Sequence, residues 1–371
     1  MPGTMKVSSL VMILTLPMVF YGSLGCSRDS DNGTTGGTTG ATSKEVEWSR
    51  PIVGGSILPT SIPVGAAAAY EQTGGRMVMT WGKSGTTILS DVFELQLAKV
   101  AWAYLKPSGE FPTPKADHTA VYDSVSKRML IFGGQDGLGP TSEVWELGLP
   151  ADTDPDTFPG TWRMLSPSEK PPARSGHTAV FDDSNNRMLV FGGFNGTTAY
   201  FSDLYELSFA SGGDGTWKEI ASPDFPSARA GHSAILDPVN SRMIIFGGSD
   251  GLNDLNDAYE FSWAGGPESW KKMTPSGLLP AARSGHTAVY DSLNKWMIVF
   301  GGFNGANLND SEALDLSQPG SESWIRLSPV GTEIPPARSE HIAIYDPVGQ
   351  RMIVYGGDGD TTGDVYQLKV N

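Results

Sequence analysis

The 371-residue chain is almost without cysteine: Cys26, near the N-terminus, is the only one. A lone thiol excludes an internal disulfide, a cysteine-based zinc finger and an iron–sulfur cluster. Positive charge is short as well, with 26 Lys and Arg against 41 Asp and Glu, a formal charge of −15. Such a surface repels phosphate backbones and anionic headgroups, so nucleic acid is not expected as a partner. Long apolar runs are missing; the stretch Leu10–Phe20 is too short and too interrupted by Pro17 for a durable membrane span. No His-Glu-x-x-His pair or Walker loop is present. What abounds is Gly, at 46, and Pro, at 26, beside 39% apolar and 10% aromatic residues. That mixture disfavours long helices, demands many turns and still supplies a substantial core. The length fits two or three ordinary domains or one large cyclic β architecture.

Residues 1–25 read as an export leader: Lys6, the apolar stretch, then Gly22-Ser-Leu-Gly25 running into Cys26. The segment resembles a bacterial lipoprotein signal with Cys26 at the position to be lipidated, although Ser23 and Leu24 stand in the reverse of the usual order. Residues 26–43 carry nothing apolar larger than Ala and read as a flexible Gly/Ser/Thr tether. The expectation is an exported chain, lipid-anchored to the cell envelope on its periplasmic or surface side.

From Lys44 to Asn371 the chain repeats itself. Arg76-Met, Arg128-Met, Arg187-Met, Arg242-Met, Trp296-Met and Arg351-Met form one column. A diglycine closing an apolar run forms a second, from the degenerate Trp81-Gly82 through Gly133-Gly134, Gly192-Gly193, Gly247-Gly248 and Gly301-Gly302 to Gly356-Gly357. Trp48, Trp102, Trp162, Trp217, Trp270 and Trp324 form a third, which starts before the first Arg-Met and has no member after the last. Each unit parses into four short strands, for example over 177–182, 187–191, 203–209 and 217–220. The run Arg187-Met-Leu-Val-Phe191 does not alternate, which predicts a strand covered on both faces. Four-stranded units at about 50-residue spacing predict the blades of an all-β, six-bladed propeller. The phase of the Trp column predicts that the strand at Glu45–Trp48 completes the last blade and closes the ring.

The diglycine, the aromatic early in the next strand (Phe93, Trp145, Tyr205, Tyr259, Tyr366) and the later Trp resemble kelch repeats over nearly all of 44–371. The resemblance implies the fold but not a chemistry, because kelch propellers include interaction modules, oxidases and a sugar mutarotase. A copper-radical oxidase of the galactose oxidase type needs a Tyr–Cys crosslink, and Cys26 lies outside the repeats. No cofactor and no metal site is expected.

All five histidines, His118, His177, His232, His286 and His341, occupy one column, which points to repeated packing rather than joint metal ligation. Three residues before them stand Lys115, Arg174, Arg229, Arg283 and Arg338. These cations either pair with an acidic column, Asp91, Glu143, Asp203, Asp257, Glu312 and Asp364, or reach the channel mouth to bind an anionic ligand. Kelch propellers of animals use arginines in such loops for acidic peptides, and the resemblance implies the same possibility here. The first unit departs, with Pro63 and Ala66 in place of the cation and the histidine. Residues following the diglycine vary: Lys83, Gln135, Phe194, Ser249, Phe303 and Asp358. Phe194 and Phe303 are candidates for stacking on a peptide or sugar. The functional expectation is a non-catalytic binding module for a protein or glycan, with a carbohydrate-active enzyme such as a sugar mutarotase as the alternative.

Overall fold

The computed structural model describes residues 42–55, 58–149, 160–222 and 224–370. The expected leader, Cys26 and all but the last two residues of the expected tether lie outside the described residues. Among the described residues the secondary structure is entirely β, with no helix.

One antiparallel meander of four strands recurs along the chain. It is built by Ala67–Glu71, Arg76–Thr80, Val92–Gln96 and Ala101–Leu105, then by Thr119–Asp123, Arg128–Phe132, Val144–Gly148 and Thr161–Leu165. Thr178–Asp182, Arg187–Phe191, Leu204–Ser208 and Thr216–Glu219 repeat it, as do Ser233–Asp237, Arg242–Phe246, Ala258–Ser262 and Ser269–Lys272. Thr287–Asp291, Trp296–Phe300, Ser311–Asp315 and Ser323–Val330 follow. The last three strands, Ile342–Asp346, Arg351–Tyr355 and Tyr366–Val370, are joined antiparallel by Ser43–Ser49, with Trp48 opposite Leu368. That strand also runs parallel to Ser323–Val330, so the C-terminal meanders merge into one nine-stranded sheet. The first strand of each meander packs against those of its neighbours, and Ile342–Asp346 lies against Ala67–Glu71, a propeller-like arrangement.

Behind its leading residue the second strand of each meander is apolar, Thr80 excepted, and neighbouring sheets cover both of its faces; Arg187–Phe191 and Arg242–Phe246 are buried at every position. Its leading Arg is not free to reach water. Arg242 Nε and Nη1 bind Asp237 and Glu260 at 3.0 and 2.6 Å, and Nη1 also binds Glu322 at 2.7 Å. The Asp closing the first strand thus ties the hairpin shut. In Asp123 one oxygen accepts the amides of Val125 and Ser126, at 3.1 and 2.9 Å, while the other binds Arg128 at 2.9 Å. The diglycine is required by crowding. Gly192 and Gly193 have φ of 66° and 105°, and a Cβ there would lie 2.7 Å from the Arg229 carbonyl oxygen and 2.9 Å from the His177 Cβ.

The meanders are stitched together by three kinds of joint. Trp217, Trp270, Trp324, Trp48 and Trp102 pack at a tilt of 53–57° on Phe132, Phe191, Phe246, Phe300 and Tyr355 of the preceding meander with centroids 4.9–5.0 Å apart. Each His Nε2 meets a hydroxyl of the preceding sheet: His118 with Thr80, His177 with Thr119, His232 with Thr178, His286 with Ser233 and His341 with Thr287, at 2.7–2.9 Å. Burial, reinforced by Lys115 and Arg283 respectively, holds the His118 and His286 pKa down at about 3, so these imidazoles stay neutral. Finally, the second glycine of each diglycine donates its amide across the joint, as Gly193 does to the Arg229 carbonyl at 2.8 Å and Gly357 to the Pro63 carbonyl at 2.8 Å.

Candidate functional site at the channel mouth

The residue before each histidine, and before Ala66 in the first unit, takes a left-handed turn, with φ near +60° at Gly65, Asp117, Gly176, Gly231 and Gly285 and +51° at Glu340. This geometry turns the amides toward one another. Gly176 donates to the Asp117 carbonyl, Gly231 to Gly176, Gly285 to Gly231, Glu340 to Gly285, Gly65 to Glu340 and Asp117 to Gly65, at 2.7–2.9 Å, a circle that returns to its start. A cavity of about 160 Å³ on one side of this circle is lined by the five histidines and Ala66. On the other side opens a cavity of about 530 Å³, the channel mouth.

The mouth is walled by the variable column. Gln135, Phe194, Ser249, Phe303 and Asp358 line it, each held by a two-way backbone bridge to the segment entering an inner strand, as Phe194 is to Ser175. The wall differs from side to side. Phe194, packed on Tyr200 with centroids 4.8 Å apart, and Phe303, which is 43% exposed, form an aromatic half over a floor of Gly176, Gly231 and Gly285. Asp117, Glu340 and Asp358 form a charged half, with Gln135 donating to Asp117. Lys83 reaches into that half, its Nζ 3.5 Å from Glu340 and 3.9 Å from Asp117. Burial works against the lysine charge, but Asp117 and Glu340 outweigh it and hold the Lys83 pKa above its ordinary value. Burial and the nearby Asp117 push the Glu340 carboxyl up in turn. Beyond the cavity, the loop tips of two flanking meanders expose Leu138 fully and Leu252 to 91%.

The cationic column lies elsewhere. Lys115, Arg174, Arg229, Arg283 and Arg338 have essentially no exposed surface, and none lines the mouth. Arg174 binds both oxygens of Asp203 at 2.6 and 2.9 Å, the Gly192 carbonyl at 2.9 Å and the Pro172 carbonyl at 3.1 Å. Lys115 binds Glu143, and Arg229 binds Asp257. The heads are consumed within the sheet edge, and contact with an anionic ligand, expected of them as one alternative, has no exposed guanidinium to make it. Two acidic partners differ from those expected. Arg283 pairs with Asp310, and Glu312 instead fills the place of the third-strand aromatic, where burial and Asp310 push its pKa to about 7. Arg338 pairs with Asp360, while Asp364 binds Arg50, just beyond the Trp48 strand. Among the described residues no three His, Cys, Asp or Glu side chains are grouped to hold a metal ion. The segment from Asp250 is a tight turn in which the carboxylate accepts the amides of Leu252 and Asn253 at 2.8 Å.

Spacing had marked Phe194 and Phe303, and the fold brings both to the mouth. It missed Asp117 and Glu340. The signal was available: they interrupt a column that is glycine in every other unit.

Repeated sheets around a closed backbone circle, with loops gathered over one mouth, define a kelch-type, propeller-like protein. The KLHDC2/KLHL20/DRC7 Kelch-repeats domain model matches residues 153–318 and 266–371, well over half of the chain, and the chain belongs to that family. It is similar to human host cell factor 2, 31% identical over 268 residues, covering 66% of this chain and 31% of that protein. Adagio protein 3 of Arabidopsis thaliana is 27% identical over 300 residues, covering 77% of this chain and 45% of that protein. A leucine-zipper-like transcriptional regulator 1 homolog of Drosophila melanogaster is 24% identical over 87% of this chain and 32% of its own length. The chain therefore spans about a third to under a half of these relatives. The solved structure of YjhT superposes with a TM-score of 0.60 at 16% identity, covering 84% of this chain and 95% of that one, a likeness of fold.

Proposed function

We propose that the chain is a non-catalytic protein-interaction module: a six-bladed kelch propeller, latched by the strand around Trp48, that presents its mouth to a protein partner. The observation that carries this reading is the half-exposed Phe303 and the Phe194–Tyr200 pair inside a 530 Å³ cavity, continued outward by the bare leucines Leu138 and Leu252. Aromatic side chains exposed in a cavity with apolar tips beside it are features of surfaces that a protein partner covers. The six blades and the latch are supported by the backbone circle and by the pairing of Ser43–Ser49 with Tyr366–Val370. In this reading Phe194 and Phe303 touch the partner, while Lys115, Arg174, Arg229, Arg283 and Arg338 frame the loops that carry them. The module is lipid-anchored at Cys26 outside the cytoplasm.

The test is capture from an envelope extract by the full chain and by a Phe194→Ser/Phe303→Ser variant of unchanged melting temperature. The reading expects partner proteins on the first and their loss from the second; identical capture overturns it. An acylated Cys26 in the mass of the mature protein tests the anchor. A second reading, conversion of a carbohydrate, draws on the raised pKa of Glu340 beside Asp117 in the same cavity. NMR of anomeric exchange over a sugar panel tests it, and spontaneous rates throughout would eliminate it.

A further inference from the structure

We propose that the mouth receives a basic side chain, a lysine or arginine borne on an extended segment of the partner. This rests on the interaction reading above and specifies the chemistry of the occupant. The column that would have made the mouth positive is withdrawn into the sheet edges, every head buried against a carboxylate and backbone carbonyls. What lines the cavity has the opposite sign: Asp117, Glu340 and Asp358, against the single ammonium of Lys83. Three carboxylates less one ammonium leave two negative charges.

These acceptors are only partly used. Lys83 stands 3.5 and 3.9 Å from Glu340 and Asp117, Gln135 donates to one Asp117 oxygen, and Asp358 takes one long side-chain hydrogen bond of 3.3 Å from Asn307. An ionised carboxylate has about four lone-pair sites, so the charged half offers open places to an N–H donor. Across from it, Phe194, Tyr200 and Phe303 supply flat faces for a guanidinium or for the apolar stem of a lysine. The floor of Gly176, Gly231 and Gly285 carries no side chains, so a chain end or extended segment can approach closely. A carboxylate ligand would meet its own sign, and an uncharged one would leave the charged half unpaired. A cation on an apolar stem satisfies both halves at once.

The experiment is selection of a phage-displayed peptide library on the immobilised full chain, followed by affinity measurement with the enriched peptides. The expected peptides share a Lys or Arg whose replacement by Met weakens binding tenfold or more. The double variant Asp117→Asn/Glu340→Gln, which keeps side-chain size and the left-handed tolerance of residue 117, is expected to weaken them tenfold or more at unchanged melting temperature. Lys83→Met, which removes the competing cation, is expected to tighten them severalfold. Neutral or acidic peptides that still depend on Phe303, or weaker binding by Lys83→Met, would overturn the charge assignment and leave the interaction reading standing. Peptides indifferent to Phe303→Ser, or no enrichment at all, would overturn the interaction reading and the charge assignment together.

Discussion

Five of the joints between neighbouring sheets are polar, and the joint between Ile342–Asp346 and Ala67–Glu71 is not. In the five, a neutral histidine meets a hydroxyl. In the sixth, both partners are replaced at once: Ala66 stands for the histidine and Ile342 for the hydroxyl. Ile342 instead enters a cluster with Ile344, Tyr355, Trp102 and Met79, while the backbone bonds from Gly357 to Pro63 and from Gly65 to Glu340 persist. A half-replaced pair would strand a buried polar atom, at about 1–3 kcal/mol. The joint after the first meander makes the same point by repair. Ala67 offers no hydroxyl there, and Thr80 of the second strand bonds His118 instead. The difference teaches that backbone and apolar contacts define the wedge and the histidine pairs refine it.

The largest effect expected from breaking the regular pattern is at the strand Ser43–Ser49. Trp48 is 2% exposed and packs on Phe300 with ring centroids 4.9 Å apart, so Trp48→Ala should cost about 3–5 kcal/mol in a chemical denaturation experiment. A loss under about 1 kcal/mol would show that the strand is not part of the core. Next comes the framing column. Arg283→Met leaves the Asp310 carboxylate without its partner and should cost about 3 kcal/mol, the low end for a broken buried pair because Asp310 is 31% exposed. Grafting the polar joint into the apolar one sharpens the comparison. Ala66→His and Ile342→Thr should each destabilise by about 1–3 kcal/mol, and the double variant should recover at least half of their sum. Strict additivity would mean that the two positions do not meet. Smaller still, Thr178→Val should cost about 1–2 kcal/mol by stranding His232 Nε2.

The histidine joints also set the response to acid. The pKa of His118 and His286 falls from 6.5 to about 3 on folding, and those of His177, His232 and His341 fall well below 6.5. A depressed folded pKa contributes stability that is present above the unfolded value and lost as pH falls toward the folded one. Glu312 works oppositely: raised from 4.5 to about 7, it stabilises below pH 4.5 and loses that contribution as pH rises toward 7. Five groups outweigh one, so melting temperature should fall as pH drops from 6.5 toward 3. Glu312→Gln should remove the small opposing trend, seen as a gain at pH 8 that is absent at pH 4.

The periodic features of the fold were legible because periodicity constrains packing. Arg-Met, diglycine and Trp recur in register, and the strand at Arg187–Phe191 lies where the unbroken apolar run put it. Direction was not legible. Spacing offered the Arg174 column two directions, pairing with the acidic column or reaching the mouth, and only three-dimensional acceptors decide between them: the heads turn back to carbonyls and carboxylates of their own sheet. Loop length hid the true partner of Arg283, since counting from the third-strand aromatic fails where Glu312 has replaced it. Asp117 and Glu340 were hidden differently: each is an ordinary acid in sequence and becomes part of the mouth only because a left-handed turn aligns it with four glycines.

The central claim is that the repeated cations hold the scaffold while the irregular mouth residues bind. Melting temperature and affinity for a mouth-selected peptide, measured side by side on Arg229→Met and Phe303→Ser, test it most directly. The account predicts a lowered melting temperature with affinity kept in the folded Arg229→Met protein, and lost affinity at unchanged melting temperature in Phe303→Ser. Lost affinity in folded, stable Arg229→Met, with Phe303→Ser binding normally, would contradict it.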